Sequence, residues 1–143
     1  MTKYQKVNHF PRSNEITRKD SLYKHIARMQ TLHGARHFDF VPKTFILPNE
    51  THLLSEEMDR KPDLWWIVKP SASSQGKGIF FTNNINDIPV KTSMIASHYI
   101  TNPLLINGYK FDLRIYVAIT SVNPLRIYMY DEGLARFATC KYS

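Results

Sequence analysis

From residue 65 onward, the chain is a succession of short apolar runs separated by breaks that contain glycine, proline or asparagine. Runs of about four to eight residues between turn-forming residues are typical of β-strands. This pattern excludes an all-helical fold for the second half of the chain. Strands are predicted at residues 65–69, 79–82, 94–100, 113–120, 125–130 and 134–139, and turns are predicted at 121–124 and 131–133.

The first part of the chain instead contains two helical patterns. Apolar residues at helical spacing predict a helix over residues 20–33, with Asp20 as its N-cap and Gly34 at its end. A second, shorter helix is expected after a strand at Thr44–Leu47 and a cap at Asn49. Helices that come early and strands that come late, without regular alternation, predict an α+β fold.

Basic residues are concentrated in the first third of the chain. The net charge is +7, and residues 1–48 carry nine Lys and Arg against three Asp and Glu, whereas residues 49–143 carry ten against nine. A basic face suits an acidic protein, a nucleic acid or an anionic membrane, or is a solvated surface without a partner. Neither nucleic acid nor a membrane is predicted as a partner, because the pattern of an RNA-binding sheet is absent and no apolar run approaches the roughly 20 residues of a membrane span.

The single cysteine, Cys140, favours a reducing compartment and hence the cytoplasm.

A polar loop at residues 70–78 joins two predicted strands and ends in Gly76-Lys77-Gly78. This short glycine pattern lacks the third glycine of a dinucleotide fingerprint, and the loop does not form a P-loop. Its position between two strands, directly after Lys69, favours phosphate binding, because backbone N–H groups and a fixed lysine charge stabilise phosphate. An ordinary mobile hairpin loop is the alternative.

A second constellation of charges lies in a predicted strand. Alternation of side chains places Lys110, Asp112 and Arg114 on one face. In an otherwise buried sheet, two cations that flank a carboxylate are costly unless they bind something, and a polyphosphate with its metal ion is a fitting ligand. A self-satisfied ion network is the alternative.

Arg136 lies alone in a short predicted strand, between Ala135 and Phe137. It is either a solvent-exposed side chain or a bidentate clamp for a substrate carboxylate, a geometry that arginine offers and lysine does not. No metal site is predicted within the chain, because the histidines lack the sequence context of zinc ligands.

Five short segments in a fixed order carry a family resemblance. Residues 66–70, 75–79, 102–106, 110–114 and 132–138 are Trp-Ile-Val-Lys-Pro, Gln-Gly-Lys-Gly-Ile, Asn-Pro-Leu-Leu-Ile, Lys-Phe-Asp-Leu-Arg and Glu-Gly-Leu-Ala-Arg-Phe-Ala. Together they resemble the tubulin–tyrosine ligase-like enzymes, over nearly the whole chain and most closely in the polyglutamylase branch. The resemblance implies an ATP-grasp-like fold. Residues 1–100 would form its central subdomain, and residues 101–143 would begin its C-terminal subdomain.

The resemblance also implies which residues bind the nucleotide. Lys69 matches the strand lysine that contacts the phosphates of ATP, and Gln75 and Gly76 match the loop that covers them. The segment whose backbone recognises adenine corresponds to Ser97, His98, Tyr99 and Ile100. The remaining implied nucleotide contacts are Lys110, Phe111 and Asp112. The residues implied in catalysis are Lys69 and Arg114.

Two residues are implied in substrate binding. Arg136 matches the arginine that holds the incoming free amino acid, which is L-glutamate in the polyglutamylase branch. Gln75 also bears on the acceptor, because glutamine at this position resembles members that elongate glutamate chains, whereas arginine resembles members that start them.

The implied reaction is an ATP-dependent ligation. ATP phosphorylates a glutamate carboxylate of a tubulin tail, and the amine of a second glutamate displaces phosphate from the acyl phosphate. Phosphoryl transfer needs positioning and charge neutralisation more than a protein nucleophile, which fits a site made of lysines, arginines and a glycine loop.

A tubulin glycine or tyrosine ligase of the same family and an inactive microtubule-binding relative are the alternatives. The expected partners are microtubules, through acidic tubulin tails, and the family is expected in the cytoplasm and on the cytoskeleton, cilia and basal bodies.

Magnesium is an implied cofactor whose ligands are not expected within the chain. In the family, the carboxylates and asparagine that bind Mg²⁺ lie downstream of the matched region, so they are expected beyond Ser143. Asp131 and Glu132 fit a hairpin turn better than a metal site. The chain is therefore expected to be a fragment that binds ATP weakly and catalyses no measurable ligation by itself.

Overall fold

The chain folds into two units, Met1–Ile100 and Thr101–Ser143. A computed structural model describes residues 3–5, 7–73 and 75–143. The elements of the first unit are α1 (Asn14–Thr17), α2 (Lys19–His33), β1 (Thr44–Leu47), α3 (Thr51–Arg60), β2 (Trp66–Pro70), β3 (Phe80–Thr82) and β4 (Met94–His98), with 3-10 turns at Ala35–His37 and Ile85–Asp87. Those of the second unit are β5 (Leu105–Ile106), β6 (Tyr109–Val122) and β7 (Leu125–Phe137). The predicted α+β class is confirmed.

The strands of the first unit form one antiparallel sheet in the order β1-β4-β2-β3. On β2, Trp66 and Val68 are fully buried, whereas Ile67 and Lys69 are only partly buried. Because successive side chains of a strand point to opposite faces, Lys69 lies on the face away from Trp66 and Val68. The sheet therefore separates the core from the side chain expected to bind phosphate.

The hydrophobic core lies between α3 and one face of this sheet. Leu54 and Met58 are four residues apart, so they share one side of the helix, and Leu54 is 0% exposed. The residues that pack with them are Phe45, Leu47, Trp66, Val68, Ile88, Met94 and Ala96. Burial of this apolar surface is the main term that holds α3 on the sheet.

α2 lies on the opposite face, against β1 and β4. Its buried residue is Ile26. On this face, Thr44 Oγ1 donates a hydrogen bond to Ser97 Oγ at 2.7 Å, which satisfies two buried hydroxyl groups. With a helix on each side, β4 is buried from Met94 to Ser97, as expected for a central strand that is covered on both faces.

The start of α2 differs from the predicted cap. The helix begins at Lys19, so Asp20 lies within its first turn and is not the N-cap. Asp20 instead accepts two hydrogen bonds from the guanidinium of Arg18, at 3.0 and 2.7 Å. The predicted end is confirmed, because Gly34 follows the last helical residue with φ of 91°.

The start of α3 also differs from the prediction. Asn49 does not cap this helix, which begins at Thr51 and is preceded by Glu50. The carboxylate of Glu50 accepts a hydrogen bond from the Ile46 N–H at 2.6 Å. The acidic side chain therefore ties the helix start to β1 and leaves the first-turn N–H groups of α3 to other partners.

Glu57 of α3 is a buried carboxylate surrounded by exposed cations. It is 2% exposed, and its Oε2 lies 2.9 Å from Lys43 Nζ and 2.5 Å from Arg60 Nη2, while Oε1 lies 3.3 Å from Lys61 Nζ. The hydrogen bond from Lys43 is the main reason that the pKa of Glu57 lies below its usual value of 4.5, and Lys61 adds to the effect, whereas burial opposes it.

Glu57→Gln is expected to lower the free energy of unfolding at neutral pH by roughly 1.5–3 kcal/mol, because it removes hydrogen bonds to a charged group. A lowered folded-state pKa means that Glu57 stabilises the fold above its unfolded pKa and loses this contribution as pH falls from about 4.5 through the folded value. The difference between wild type and variant should therefore shrink on acidification. Urea unfolding at neutral and acidic pH, followed by circular dichroism, measures it, and a pH-independent difference would contradict this origin.

The second unit is a long antiparallel hairpin of β6 and β7, with β5 paired to the start of β6. The hairpin turn lies at residues 123–124, within the predicted turn at 121–124. The predicted turn at 131–133 is wrong, because these residues lie inside β7, which runs without a break. The two strands predicted at 125–130 and 134–139 are thus largely one strand.

Gly133 explains why this segment resembles a turn in the sequence. It lies opposite Ile115, next to a register shift between Ile115 and Val117. A Cβ at position 133 would lie 2.5 Å from the carbonyl oxygen of Arg114, which no side chain tolerates. The glycine therefore allows a close approach of two strands beside a bulge and does not reverse the chain.

Neither face of β6 and β7 is buried within the described residues. On one face, Leu113, Ile115 and Val117 are 63%, 54% and 54% exposed. On the other face, Asp112 and Arg114 are exposed too, so the prediction that they lie in a buried sheet is wrong.

No helix in the described part of the chain is both long and apolar enough to cross a membrane.

Candidate active site

A small cavity lies where β2 ends and the glycine loop begins. Its volume is about 140 Å³, and its walls are Lys19, Lys69, Pro70, Ser73, Gln75, Gly76, Lys77 and Ile79. Three lysines and no carboxylate line it, so its field attracts anions. Because pockets for complete small-molecule ligands are usually about 300–1,000 Å³, this cavity fits a phosphate group better than a whole nucleotide.

The loop around the cavity has an unusual backbone. Gln75, Gly76 and Gly78 have φ of 59°, 73° and 69°, in the left-handed region that glycine adopts at little cost and glutamine does not. A Cβ at position 78 would lie 3.0 Å from Pro70 Cγ, so this glycine lets the loop fold back onto the end of β2. Ser74 lies outside the described residues. The structure thus brings together the predicted phosphate contacts Lys69, Gln75 and Gly76.

Lys19 is a cavity residue that sequence reasoning missed. Its Nζ donates a hydrogen bond to the Ser73 carbonyl oxygen at 2.6 Å, and its backbone N–H donates to the Ser71 carbonyl oxygen at 3.4 Å. These bonds fix the start of α2 against the glycine loop. The lysine and the loop are 54 residues apart, so no local pattern could have joined them.

The predicted adenine segment lies at the end of β4. The N–H of His98 donates to the Lys43 carbonyl oxygen and the N–H of Tyr99 donates to the Trp65 carbonyl oxygen, both at 2.8 Å. The side chain of Ser97 is already paired with a buried hydroxyl. Ile100 lies past the end of β4 and past these two hydrogen bonds.

The remaining predicted nucleotide contacts lie at the start of β6. Lys110 Nζ lies 5.5 Å from the centre of the Tyr142 ring, a cation–π distance. The rings of Phe111 and Phe137 stack across the two strands with centroids 5.7 Å apart. The Ala138 N–H donates to the Lys110 carbonyl oxygen at 2.8 Å and continues the pairing beyond β7. At this end of β6, Tyr109, Lys110 and Phe111 are partly buried.

Asp112 and Arg136 form a bidentate ion pair. They are direct cross-strand partners, and Arg136 Nε and Nη2 donate to the two carboxylate oxygens, each at 2.7 Å. The hydrogen bonds from Arg136, and secondarily the charge of Arg114, hold the pKa of Asp112 below its usual value. The same bonds raise the pKa of Arg136. The structure thus brings Asp112, Arg114 and Arg136 together on one exposed face of the second unit.

The described residues do not form a binding site for magnesium. Across residues 3–5, 7–73 and 75–143, no cluster of three or more His, Cys, Asp or Glu side chains is arranged to hold a metal ion. On the charged face of the hairpin, the carboxylate of Asp112 is paired with Arg136.

Comparison with known proteins identifies the fold of this chain and then its family. The C-terminal domain of K. lactis Pby1, described as an ATP-grasp enzyme that interacts with the mRNA decapping enzyme Dcp2, matches 95% of this chain and 42% of that chain with a TM-score of 0.62 and 24% identity. This likeness shows an ATP-grasp-like fold, as the sequence predicts. A model of the tubulin-tyrosine ligase family matches residues 1–143. The chain belongs to that family, and the resemblance seen in its five segments is confirmed.

The similar relatives modify tubulin with glutamate. Human "Tubulin polyglutamylase TTLL5" is 54% identical over 99% of this chain and 11% of its own length. Mouse "Tubulin monoglutamylase TTLL4" is 46% identical over 98% of this chain and 12% of its own length. Human "Tubulin polyglutamylase TTLL6" is 46% identical over 100% of this chain and 16% of its own length. The chain therefore spans roughly a tenth to a sixth of these curated relatives.

Proposed function

We propose that this chain is part of an ATP-dependent ligase that adds glutamate to glutamate side chains of tubulin tails. The observation that carries the proposal is the lysine-lined cavity under the glycine loop, in a chain of the tubulin-tyrosine ligase family. The glutamylase names of the relatives at 46–54% identity support glutamate as the amino acid and tubulin as the acceptor. Microtubules are then the partner, and the cytoplasm and its cytoskeleton are the location.

We assign roles to the residues of each unit separately. In the first unit, which we assign as the central subdomain, Lys69 and Lys19 bind the phosphates of ATP, and the loop with Gln75 and Gly76 covers them. Ile100 offers its N–H to adenine. In the second unit, which we assign as the beginning of the C-terminal subdomain, the residues with nucleotide roles are Lys110, Phe111, Asp112 and Arg114.

The reaction requires two bond exchanges. A carboxylate oxygen of the acceptor glutamate attacks the terminal phosphorus of ATP, and ADP leaves. The amine of the incoming glutamate then attacks the acyl carbon, and the C–O bond to phosphate breaks. An amide forms, and inorganic phosphate leaves together with the proton that the amine loses. Lys69 and Arg114 neutralise the charge that develops on the transferred phosphoryl group. Arg136 holds the carboxylate of the incoming glutamate, and Gln75 contacts the acceptor.

The acidic acceptor is drawn to the basic first unit. The excess of cations lies in residues 1–48, which carry nine Lys and Arg against three Asp and Glu. A tail rich in carboxylates associates faster with such a surface, and added salt weakens the attraction.

The amino acid transferred tests the proposal. The full-length product of the gene is incubated with microtubules, ATP and equimolar labelled glutamate, glycine and tyrosine, and the tubulin tail peptides are analysed by mass spectrometry. We expect additions of glutamyl residues on glutamate side chains. Addition of glycine or tyrosine would identify the other ligases of the family, and salt-sensitive microtubule pelleting without any addition would identify an inactive binding relative.

A further inference from the structure

The guanidinium of Arg136 has two edges that can each hold a carboxylate in a bidentate manner. Nε and one Nη form the first edge, and the two Nη atoms form the second. Asp112 occupies the first edge, because its two oxygens accept from Nε and Nη2 at 2.7 Å each. The second edge is not used by this carboxylate.

We propose that Asp112 is a positioning residue, which fixes the plane of the Arg136 guanidinium so that its second edge receives the carboxylate of the incoming amino acid. This inference rests on the proposed function and deepens it. It gives Asp112 a role toward the amino-acid substrate, in addition to the nucleotide contact proposed above. The cross-strand pair of Asp112 and Arg136 would thus join a residue that contacts ATP to a residue that contacts the incoming amino acid.

The surroundings of the pair favour positioning over fold stability. Its side chains are 57% and 55% exposed, and an exposed ion pair stabilises a fold little. The same exposure leaves the second edge of Arg136 accessible to a ligand. Arg114 lies one pleat along the same face, and its charge adds to the field at Asp112, so the carboxylate of Asp112 stays ionised while the cations around it attract a second carboxylate.

Two physical effects of Asp112 on substrate binding have opposite signs. A long arginine side chain loses rotamer freedom when it binds a ligand, and a partner that orders it beforehand removes this cost. A negative charge beside Arg136, however, weakens the attraction of Arg136 for a substrate carboxylate. If positioning dominates, removal of the charge raises the KM for the amino acid; if electrostatic competition dominates, removal lowers it.

A double-mutant cycle on the full-length protein separates these effects. With microtubules as acceptor, the KM for glutamate is measured for wild type, Asp112→Asn, Arg136→Lys and the double variant. We expect Asp112→Asn to raise the KM for glutamate by about 3- to 10-fold in the Arg136 background, from the cost of ordering one long side chain. In the Arg136→Lys background the same change should have less than about a twofold effect, because lysine has no bidentate edge to orient.

Several outcomes would overturn the positioning role. These are a KM for glutamate that falls or does not change in Asp112→Asn, and a rise of equal size in both backgrounds, which would mean that Asp112 acts only through the nucleotide. The KM for ATP is measured in parallel to report that contact. Circular dichroism checks folding, and if Asp112→Asn does not fold, Asp112→Glu takes its place in the cycle with a smaller expected rise. A wild-type protein that adds no glutamate refutes the proposed function itself, whereas the outcomes above refute only the role of Asp112.

Discussion

Lys69→Ala is expected to lower the rate of ATP-dependent glutamate addition by about 100- to 1,000-fold, the usual effect of removing one preorganised charge from a transition state. The reason is the position of Lys69 in the cavity. It lies on the face of β2 turned away from the core and lines the cavity under the glycine loop together with Lys19 and Lys77. Incorporation of labelled glutamate into microtubules by the full-length protein measures the rate at saturating ATP and acceptor.

Lys91→Ala is the matched control for this prediction. Lys91 is an exposed lysine in the loop before β4 and does not line the cavity. Its removal lowers the net charge by the same amount, and we expect less than about a twofold change in rate, since a distant exposed charge is largely screened. A Lys69→Ala rate within tenfold of wild type, with an unchanged melting temperature, would contradict the proposed phosphate contact.

Leu54→Ala is expected to lower the free energy of unfolding by about 2–5 kcal/mol, because it removes buried methyl groups and leaves a cavity between α3 and the sheet. Leu54 is 0% exposed and packs in the cluster that contains Trp66 and Val68. The loss is a large part of the marginal stability of a domain of this size. Urea unfolding monitored by tryptophan fluorescence measures it, since Trp66 lies in the same cluster.

Leu53→Ala is the control that the chain offers for the same helix. Leu53 is the neighbouring residue, of the same type, but it is 41% exposed on the outer side of α3. We expect this change to cost less than about 1 kcal/mol, as is usual for substitutions outside the core. Equal losses for the two variants would mean that α3 does not pack on the sheet through Leu54.

The strands of the first unit could be predicted because their signal is local. Residues 44–47 form a short, mainly apolar run that ends at Pro48, and the structure has a strand with the same bounds. The end of α2 at Gly34 could be predicted too. The starts of α2 and α3 could not, because polar side chains near them bind partners outside the helix. Asp20 has a guanidinium within reach and binds Arg18, so the helix begins before it.

In the candidate site, too, associations between residues adjacent in sequence could be predicted, whereas those between residues far apart in sequence could not. The glycine loop and Lys69 are adjacent in sequence, so their association is visible in the sequence alone. Lys19 reaches the loop from the start of α2, and the ion pair of Asp112 and Arg136 joins residues 24 positions apart across a hairpin whose register the sequence does not define. The misread turn at 131–133 has the same cause, because a glycine that permits close strand approach and a glycine that forms a turn are identical in sequence.

The long hairpin has a consequence for the behaviour of the chain in solution. Residues 115–122 of β6 form an uninterrupted stretch of eight uncharged residues without proline or glycine, and those on its apolar face are exposed. In the sheet order β5-β6-β7, β7 also keeps one unpaired edge. Segments of this composition beside an open edge recruit identical segments from other molecules and grow into fibrils. A preparation of these 143 residues alone is therefore expected to seed amyloid-like aggregation that rises with protein concentration.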